Sequence, residues 1–132
     1  MTSDAATACS LADIAGPGDI VAIVGAGGKT TTMFALASAL SERGLRVVTT
    51  KSTTIHRPSM ARAPRLLVSP PDRWRTELPP ALDVHPVVTV VTAAPTPRRY
   101  NGIPPDLAPD LLSASGADVL IAEAVGARRR LL

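Results

Sequence analysis

The fold of this chain is best indicated by the stretch Val24-Gly25-Ala26-Gly27-Gly28-Lys29-Thr30-Thr31. It follows an apolar run, and the residues after it have helical spacing, so it stands where a strand passes into a helix. Unpaired backbone N–H groups in the first turn of a helix, together with the helix dipole, attract anions, and glycines let the backbone approach a phosphate closely. The stretch therefore predicts a phosphate-binding loop.

Two side chains of this stretch are suited to a nucleotide. Lys29 supplies a positive charge for the outer phosphates, and the hydroxyl of Thr30 is placed to ligate Mg²⁺. The usual loop, G-x-x-x-x-G-K-[ST], would have glycine at position 23, where this chain has Ile23, so the stretch is closer to a compact form, G-x-G-G-K-T. The predicted nucleotide-binding residues are Gly25, Ala26, Gly27, Gly28, Lys29, Thr30 and Thr31.

Two other interpretations of the glycines are open. A dinucleotide-binding G-x-G-x-x-G lacks its third glycine here, because Thr30 stands in that place, and the next strand ends in Lys51 rather than in an acid. A plain glycine turn is the other alternative, but the strand before and the helix after the glycines favour the phosphate site.

Composition indicates one globular domain over the 132 residues, built on aliphatic rather than aromatic side chains, since 45% are hydrophobic and only 2% aromatic. No apolar run reaches the length of a membrane helix and no leader pattern precedes residue 10, so we expect a soluble cytoplasmic protein. The net charge is +3, with Lys29 and Lys51 as the two lysines. With only one aromatic residue interleaved beside the arginines, a nucleic-acid surface that stacks bases is not expected.

The rest of the chain predicts an open α/β sheet of about five mostly parallel strands with flanking helices. Met33, Leu36, Ala37 and Leu40 share one face of the helix that follows the loop. Twelve of the thirteen prolines fall between positions 58 and 109, which argues against long helices there. The strands are expected at 19–24, 45–50, 65–69, 86–92 and 118–123, with helical segments at 10–15, 72–78 and 106–115 and a loop at 93–105.

Polar residues at the ends of two predicted strands are further candidates. Glu123 ends an apolar strand, where proteins with a phosphate loop place an acid that holds Mg²⁺ or its water, although a solvated acid is the alternative. The run from Thr49 to Thr54 lies at the carboxyl edge, where open sheets bind ligands, and includes Lys51. The run Arg128 to Arg130 could reach phosphates or be a solvated tail. His56 and His85 are assigned no role.

Three segments together resemble the YqeC family of accessory proteins for selenium-dependent molybdenum hydroxylases. They are Val21 to Thr31, Thr49 to Ile55 and Glu123 to Arg130, and Tyr100-Asn101-Gly102-Ile103-Pro104 stands where that family has a glycine-containing loop. The resemblance covers most of the chain. It implies a nucleoside triphosphate, ATP or GTP, at Gly25, Gly27, Gly28, Lys29 and Thr30, a metal-binding or catalytic acid at Glu123, and a molybdenum hydroxylase or its cofactor pathway as partner.

Two departures from the family pattern affect the expected activity. The pattern E-A-D-G-A has aspartate where this chain has Val125, and family members continue beyond the arginine run, whereas this sequence ends at Leu132. The chain therefore resembles a truncated member or a fragment, incomplete at its C-terminus, with impaired Mg²⁺-dependent nucleotide hydrolysis or phosphoryl transfer.

Two alternatives come from other functional classes. The loop is also similar to the ATP-binding loop of Mur-type amide ligases, whose further domains this chain lacks, and a module that binds nucleotide without turning it over is the second alternative. The sequence leaves open the acceptor substrate, the oligomeric state and any chemistry of selenium itself.

Overall fold

The computed structural model describes residues 13, 15–24, 28–52, 54–56 and 63–123. Within them, the strands are β1 (Ile20–Ile23), β2 (Val47–Lys51), β3 (Thr54–His56), β4 (Leu66–Val68), β5 (Val87–Val91), β6 (Ala93–Thr96), β7 (Arg99–Asn101) and β8 (Val119–Glu123). The helices are α1 (Lys29–Glu42), α2 (Trp74–Val84) and α3 (Ala108–Ser115). Short 3₁₀ turns, Pro71–Arg73 and Pro105–Leu107, lead into α2 and α3.

The main sheet has five strands in the order β1-β8-β2-β5-β4, and all of its neighbouring pairs are parallel. The predicted α/β class with about five parallel strands is confirmed. β1 and β2, which α1 connects, are not neighbours, because β8 from the end of the described chain lies between them. This insertion places residues almost a hundred positions apart in adjacent strands.

One face of the sheet is covered by α1. Met33, Leu36, Ala37 and Leu40 are all fully buried, as their helical spacing predicts. They pack with alternate strand residues: Ile23, Val47, Val87, Val119 and Ile121. Because successive strand residues point to opposite faces, the whole odd-numbered set 47, 87, 119 and 121 belongs to the α1 side.

The opposite face is covered by α2 and α3. Its buried residues are Trp74, Leu78, Leu82 and Leu111 from the helices and Val48, Val88, Val90 and Leu120 from the strands. The indole Nε1 of Trp74 donates a hydrogen bond to the backbone oxygen of Ser69 at 2.8 Å. Burial on both faces explains why the strands are continuous apolar runs, as parallel sheets require.

The helical turn predicted at 72–78 is too short, because α2 runs from Trp74 to Val84 through Pro79 and Pro80. Two prolines inside a helix remove two backbone donors and normally end it. Here the carbonyls that lose their partners belong to Arg75 and Thr76, which are exposed to solvent. Packing of the buried side chains, spaced four residues apart, outweighs the cost of the prolines.

The prediction of a loop at 93–105 is wrong for much of that segment. β6 and β7 form an antiparallel hairpin, and β3 pairs with β7 to complete a second sheet in the order β3-β7-β6. The segment Ala-Ala-Pro-Thr has little intrinsic strand preference. Pro95 is tolerated because β6 is an edge strand, where a missing N–H breaks no ladder bond.

The other predicted boundaries agree with the structure to within a few residues. Gly44 and Gly116, at the ends of α1 and α3, have φ of +87° and +73°, the left-handed conformation that glycine adopts without cost. The helical segment predicted at 10–15 lies almost wholly outside the described residues. None of the helices in the described part of the chain is long and apolar enough to cross a membrane.

Candidate functional site

The carboxyl ends of three strands meet beside the start of α1. Ile23 of β1 is the register partner of Glu123 of β8, which in turn is the partner of Lys51 of β2. Lys51 and Glu123 belong to the odd-numbered set of the sheet, so they lie on the α1 side. A cation and an acid are therefore neighbours at the edge of the sheet where open α/β folds bind ligands.

The first turn of α1 follows a glycine with a left-handed backbone. Gly28 has φ of +72° and precedes Lys29, the first helical residue, and its carbonyl accepts a hydrogen bond from the N–H of Thr32 at 3.0 Å. No side chain caps this end of the helix and no acid stands in its first turn. Among the described residues, the positive end of the helix dipole therefore has no side-chain cap. Gly25, Ala26 and Gly27 lie outside the described residues.

A side-chain hydrogen bond joins this helix to β8. The hydroxyl of Thr30 donates a hydrogen bond to Oε2 of Glu123 at 2.8 Å. The ammonium Nζ of Lys51 lies 3.5 Å from the same carboxylate oxygen. Sequence analysis proposed Thr30 and Glu123 for one site, and the fold brings them into direct contact.

Burial makes the ion pair more significant than a surface salt bridge. The side chain of Glu123 is 8% exposed and that of Lys51 is 16% exposed. A charge removed from water is costly unless it is paired and hydrogen-bonded, and Glu123 has both kinds of partner. The other two ion pairs among the described residues, Arg43–Asp13 and Arg46–Asp83, are much more exposed.

The backbone around this pair is fixed from two sides. The N–H of Ser52 donates to the carbonyl of Glu123 at 3.1 Å, and the N–H of Ile103 donates to the carbonyl of Lys51 at 2.8 Å. Ile103 follows the hairpin of β6 and β7, so the second sheet is attached to the main sheet at the carboxyl edge. The sequence predicts a loop for the segment of Ile103 and gives no signal for this connection.

The oxygen donors at the site fit Mg²⁺ only as part of a shared coordination sphere. Thr30 and Glu123 offer a hydroxyl and a carboxylate oxygen, which are ligands that Mg²⁺ accepts. Within the described ranges, no group of three or more His, Cys, Asp or Glu side chains is suitable for holding a metal ion. Mg²⁺ characteristically completes such a set with water and substrate phosphates. These two donors therefore fit a Mg²⁺ ion that takes its remaining ligands from water or from the phosphates of a nucleotide.

Two hydroxyls of the threonine run have structural partners instead. Thr49 and Thr89 are fully buried register partners whose hydroxyl oxygens are 2.6 Å apart, and Thr50 donates to the carbonyl of Val90 at 2.8 Å. Thr54 begins β3 rather than continuing a loop, and Thr53 lies outside the described residues. Of this run, Lys51 is the member with a charged contact at the site.

His85 lies apart from the cluster formed by Thr30, Lys51 and Glu123. His85 precedes β5 and thus lies at the opposite, amino edge of the parallel sheet. Val125 and the run Arg128 to Arg130 lie outside the described residues. Thr31 is half-buried in the first turn of α1, next to Thr30.

A family model described as YqeC protein matches residues 21–132, which include β1 from its second residue onward, the whole of α1 and every other described element. The chain belongs to the YqeC family. Comparisons with curated proteins and with solved structures give no match. The YqeC match spans the helix start, Lys51 and Glu123 together, so the observed cluster lies wholly within the family region.

Proposed function

We propose that this YqeC-family chain is an accessory protein that binds a nucleoside triphosphate with Mg²⁺ at the carboxyl edge of its parallel sheet. The observation that carries the proposal is the hydrogen bond between Thr30 and Glu123. It joins the residue after the loop lysine to an acid at the end of a neighbouring strand. That pairing of a hydroxyl and an acid is what a phosphate loop uses to hold Mg²⁺.

Each part of the site has a role in this proposal. The backbone N–H groups at the start of α1 and the side chain of Lys29 would hold the phosphates, while Gly25, Ala26, Gly27 and Gly28 let the backbone close on them. Thr30 and Glu123 hold Mg²⁺, directly or through water, and the ion neutralises charge on the phosphates. Both ATP and GTP fit this description, because the phosphate site does not contact a base.

Family membership supports an accessory role, and we propose that the client is a selenium-dependent molybdenum hydroxylase. The nucleotide would then drive or regulate a step in the maturation of that enzyme. Co-expression of such a hydroxylase with the wild-type chain or with a Lys29→Ala chain tests this assignment. Hydroxylase activity should depend on the wild-type chain, and equal activity with both chains would contradict a nucleotide-dependent role.

Nucleotide binding itself is tested by substitution of the loop lysine. A charge-assisted hydrogen bond contributes about 1.5 to 3 kcal/mol, so Lys29→Ala should weaken binding of Mg²⁺·ATP roughly ten- to a hundredfold. Isothermal titration calorimetry on both proteins measures the difference. Arg73→Ala is the matched control, since it removes an exposed cation next to α2, on the other face of the sheet.

The two variants together show whether Lys29 contacts the phosphates. Weaker binding in Lys29→Ala with unchanged binding in Arg73→Ala supports the phosphate site. Equal affinities of wild type and Lys29→Ala, or no binding of either Mg²⁺·ATP or Mg²⁺·GTP by folded wild-type protein, would remove the proposal.

A further inference from the structure

Lys51 has no role in the phosphate site described so far, yet it is the second of only two lysines in the sequence. Both lysines stand at the same edge of the sheet, Lys29 at the start of α1 and Lys51 at the end of β2. The other basic residues, twelve in number, are all arginine. Lysine differs from arginine in carrying a compact charge on a flexible stem, which suits a cation that changes partners.

The position of Lys51 coincides with the position required of a metal. Its ammonium group lies 3.5 Å from Oε2 of Glu123, the oxygen that also accepts the hydrogen bond of Thr30. A Mg²⁺ ion held by Thr30 and Glu123 would need this same oxygen region. Two cations that lie against the same carboxylate oxygen repel each other, and this repulsion is stronger where water is largely excluded, because it increases as the dielectric constant falls.

Burial determines what happens if either cation is absent. Glu123 is 8% exposed, so its carboxylate needs a positive partner when no metal is bound, and Lys51 provides one. When a metal takes over this role, the ammonium of Lys51 needs a new anionic partner near the same edge. Phosphate oxygens at the start of α1 are such a partner.

We propose that Lys51 is an exchangeable counter-cation: it neutralises Glu123 in the ligand-free protein and moves to the phosphate chain of the nucleotide when Mg²⁺ binds at Thr30 and Glu123. This inference rests on the proposed function. The exchange adds a second cationic contact to the nucleotide. It also accounts for a lysine whose backbone is held in place while its ammonium group changes partner. The anchor is the hydrogen bond from the N–H of Ile103.

If Lys51 exchanges partners, Lys51→Met should change the affinity for Mg²⁺ alone and the affinity for Mg²⁺·ATP in opposite directions. Methionine keeps the length of the side chain but has no charge, so Mg²⁺ alone no longer competes with an ammonium group for Glu123. Affinity for Mg²⁺ without nucleotide should therefore rise about tenfold, while affinity for Mg²⁺·ATP should fall about tenfold because the phosphate contact is lost. Calorimetry with MgCl₂ alone and with Mg²⁺·ATP measures both values, and Arg73→Met is the control of equal charge change.

Other outcomes would overturn the inference. A lysine that serves only as the structural partner of Glu123 would, when removed, raise affinity for both Mg²⁺ and Mg²⁺·ATP. A lysine without a role would leave both unchanged, and a Lys51→Met protein that gains no Mg²⁺ affinity equally contradicts the exchange. Failure of the proposed function is distinguishable, since it would show as absent Mg²⁺·ATP binding in the wild type.

A measurement on the unmodified protein covers the case in which Lys51→Met does not fold. Acetylation of lysine amines followed by mass spectrometry reports on Lys51 and Lys29 separately, since the chain has only these two lysines. Mg²⁺ alone should increase acetylation of Lys51 by releasing it from Glu123, and Mg²⁺·ATP should reduce it again. Lys51 reactivity that is the same in the free, Mg²⁺ and Mg²⁺·ATP states would contradict the exchange.

Discussion

Thr30 and Glu123 are 93 positions apart in sequence and are joined by a hydrogen bond of 2.8 Å from the hydroxyl to Oε2. The bond connects the first turn of α1 with the last residue of β8, and β8 lies next to β1 because it is inserted between β1 and β2. A single contact thus links the start of the helix and the acid at the end of the strand. It is both a structural bond of the free protein and the basis of the proposed metal site.

The first prediction concerns this hydrogen bond in the free protein. Thr30→Val keeps the shape of the side chain but leaves the carboxylate of Glu123 without its hydroxyl partner. A hydrogen bond to a charged group contributes about 1.5 to 3 kcal/mol, so the free energy of unfolding should fall by that amount. Urea denaturation measures it. Thr30→Ser keeps the hydroxyl, so its free energy of unfolding should fall clearly less. An equal fall in both variants would mean that the bond does not stabilise the fold.

The second prediction concerns the buried hydroxyl pair of Thr49 and Thr89. Their oxygens are 2.6 Å apart and both side chains are fully buried, so Thr49→Val leaves the Thr89 hydroxyl without this partner. A buried polar group that loses its partner costs about 1 to 3 kcal/mol, whereas replacing both partners by apolar groups of the same shape is nearly neutral.

A double-mutant cycle tests this pair. The double variant Thr49→Val/Thr89→Val should be destabilised by less than the sum of the single variants, with a coupling of about 1 kcal/mol or more. Strictly additive decreases in the free energy of unfolding would show that the two hydroxyls do not interact in solution. Nucleotide affinity should be unaffected, because both hydroxyls are fully buried and are bonded to each other.

The third prediction concerns Val125, which lies outside the described residues and is argued from sequence alone. Alternation along a strand that continued past Glu123 would place residue 125 on the same side as the acid. A second carboxylate there could hold Mg²⁺ through water or orient an attacking group, which valine cannot do. Val125→Asp should therefore raise nucleotide turnover more than it raises affinity for Mg²⁺·ATP.

Phosphate release and calorimetry on the same preparations separate the two effects. Val125→Asn is the control of similar size without charge, and it should not raise turnover. Unchanged turnover in Val125→Asp, or efficient turnover by the wild type, would exclude position 125 from the active site.

The sequence by itself determined the class of fold and the faces of α1. The spacing of Met33, Leu36, Ala37 and Leu40 required one buried helix face, and the apolar runs before Thr49 and Glu123 required strands covered on both sides. These are local patterns, and burial enforces them whatever the order of the strands. The family resemblance, carried by the glycine stretch, the threonine run and the segment after Glu123, was likewise available from sequence and is confirmed by the family match.

Only the tertiary structure decided which strand ends are neighbours. Nothing in the sequence of β8 predicts that this strand pairs with both β1 and β2. Its insertion between them brings Nζ of Lys51 to 3.5 Å from Oε2 of Glu123. The hairpin of β6 and β7 and the helix through Pro79 and Pro80 were also hidden, because their local preferences are weak or unfavourable. Pairing with β3 stabilises the hairpin, and buried Trp74, Leu78 and Leu82 stabilise the helix. Long-range pairing and packing depend on residues distant in sequence, so local patterns cannot reveal them.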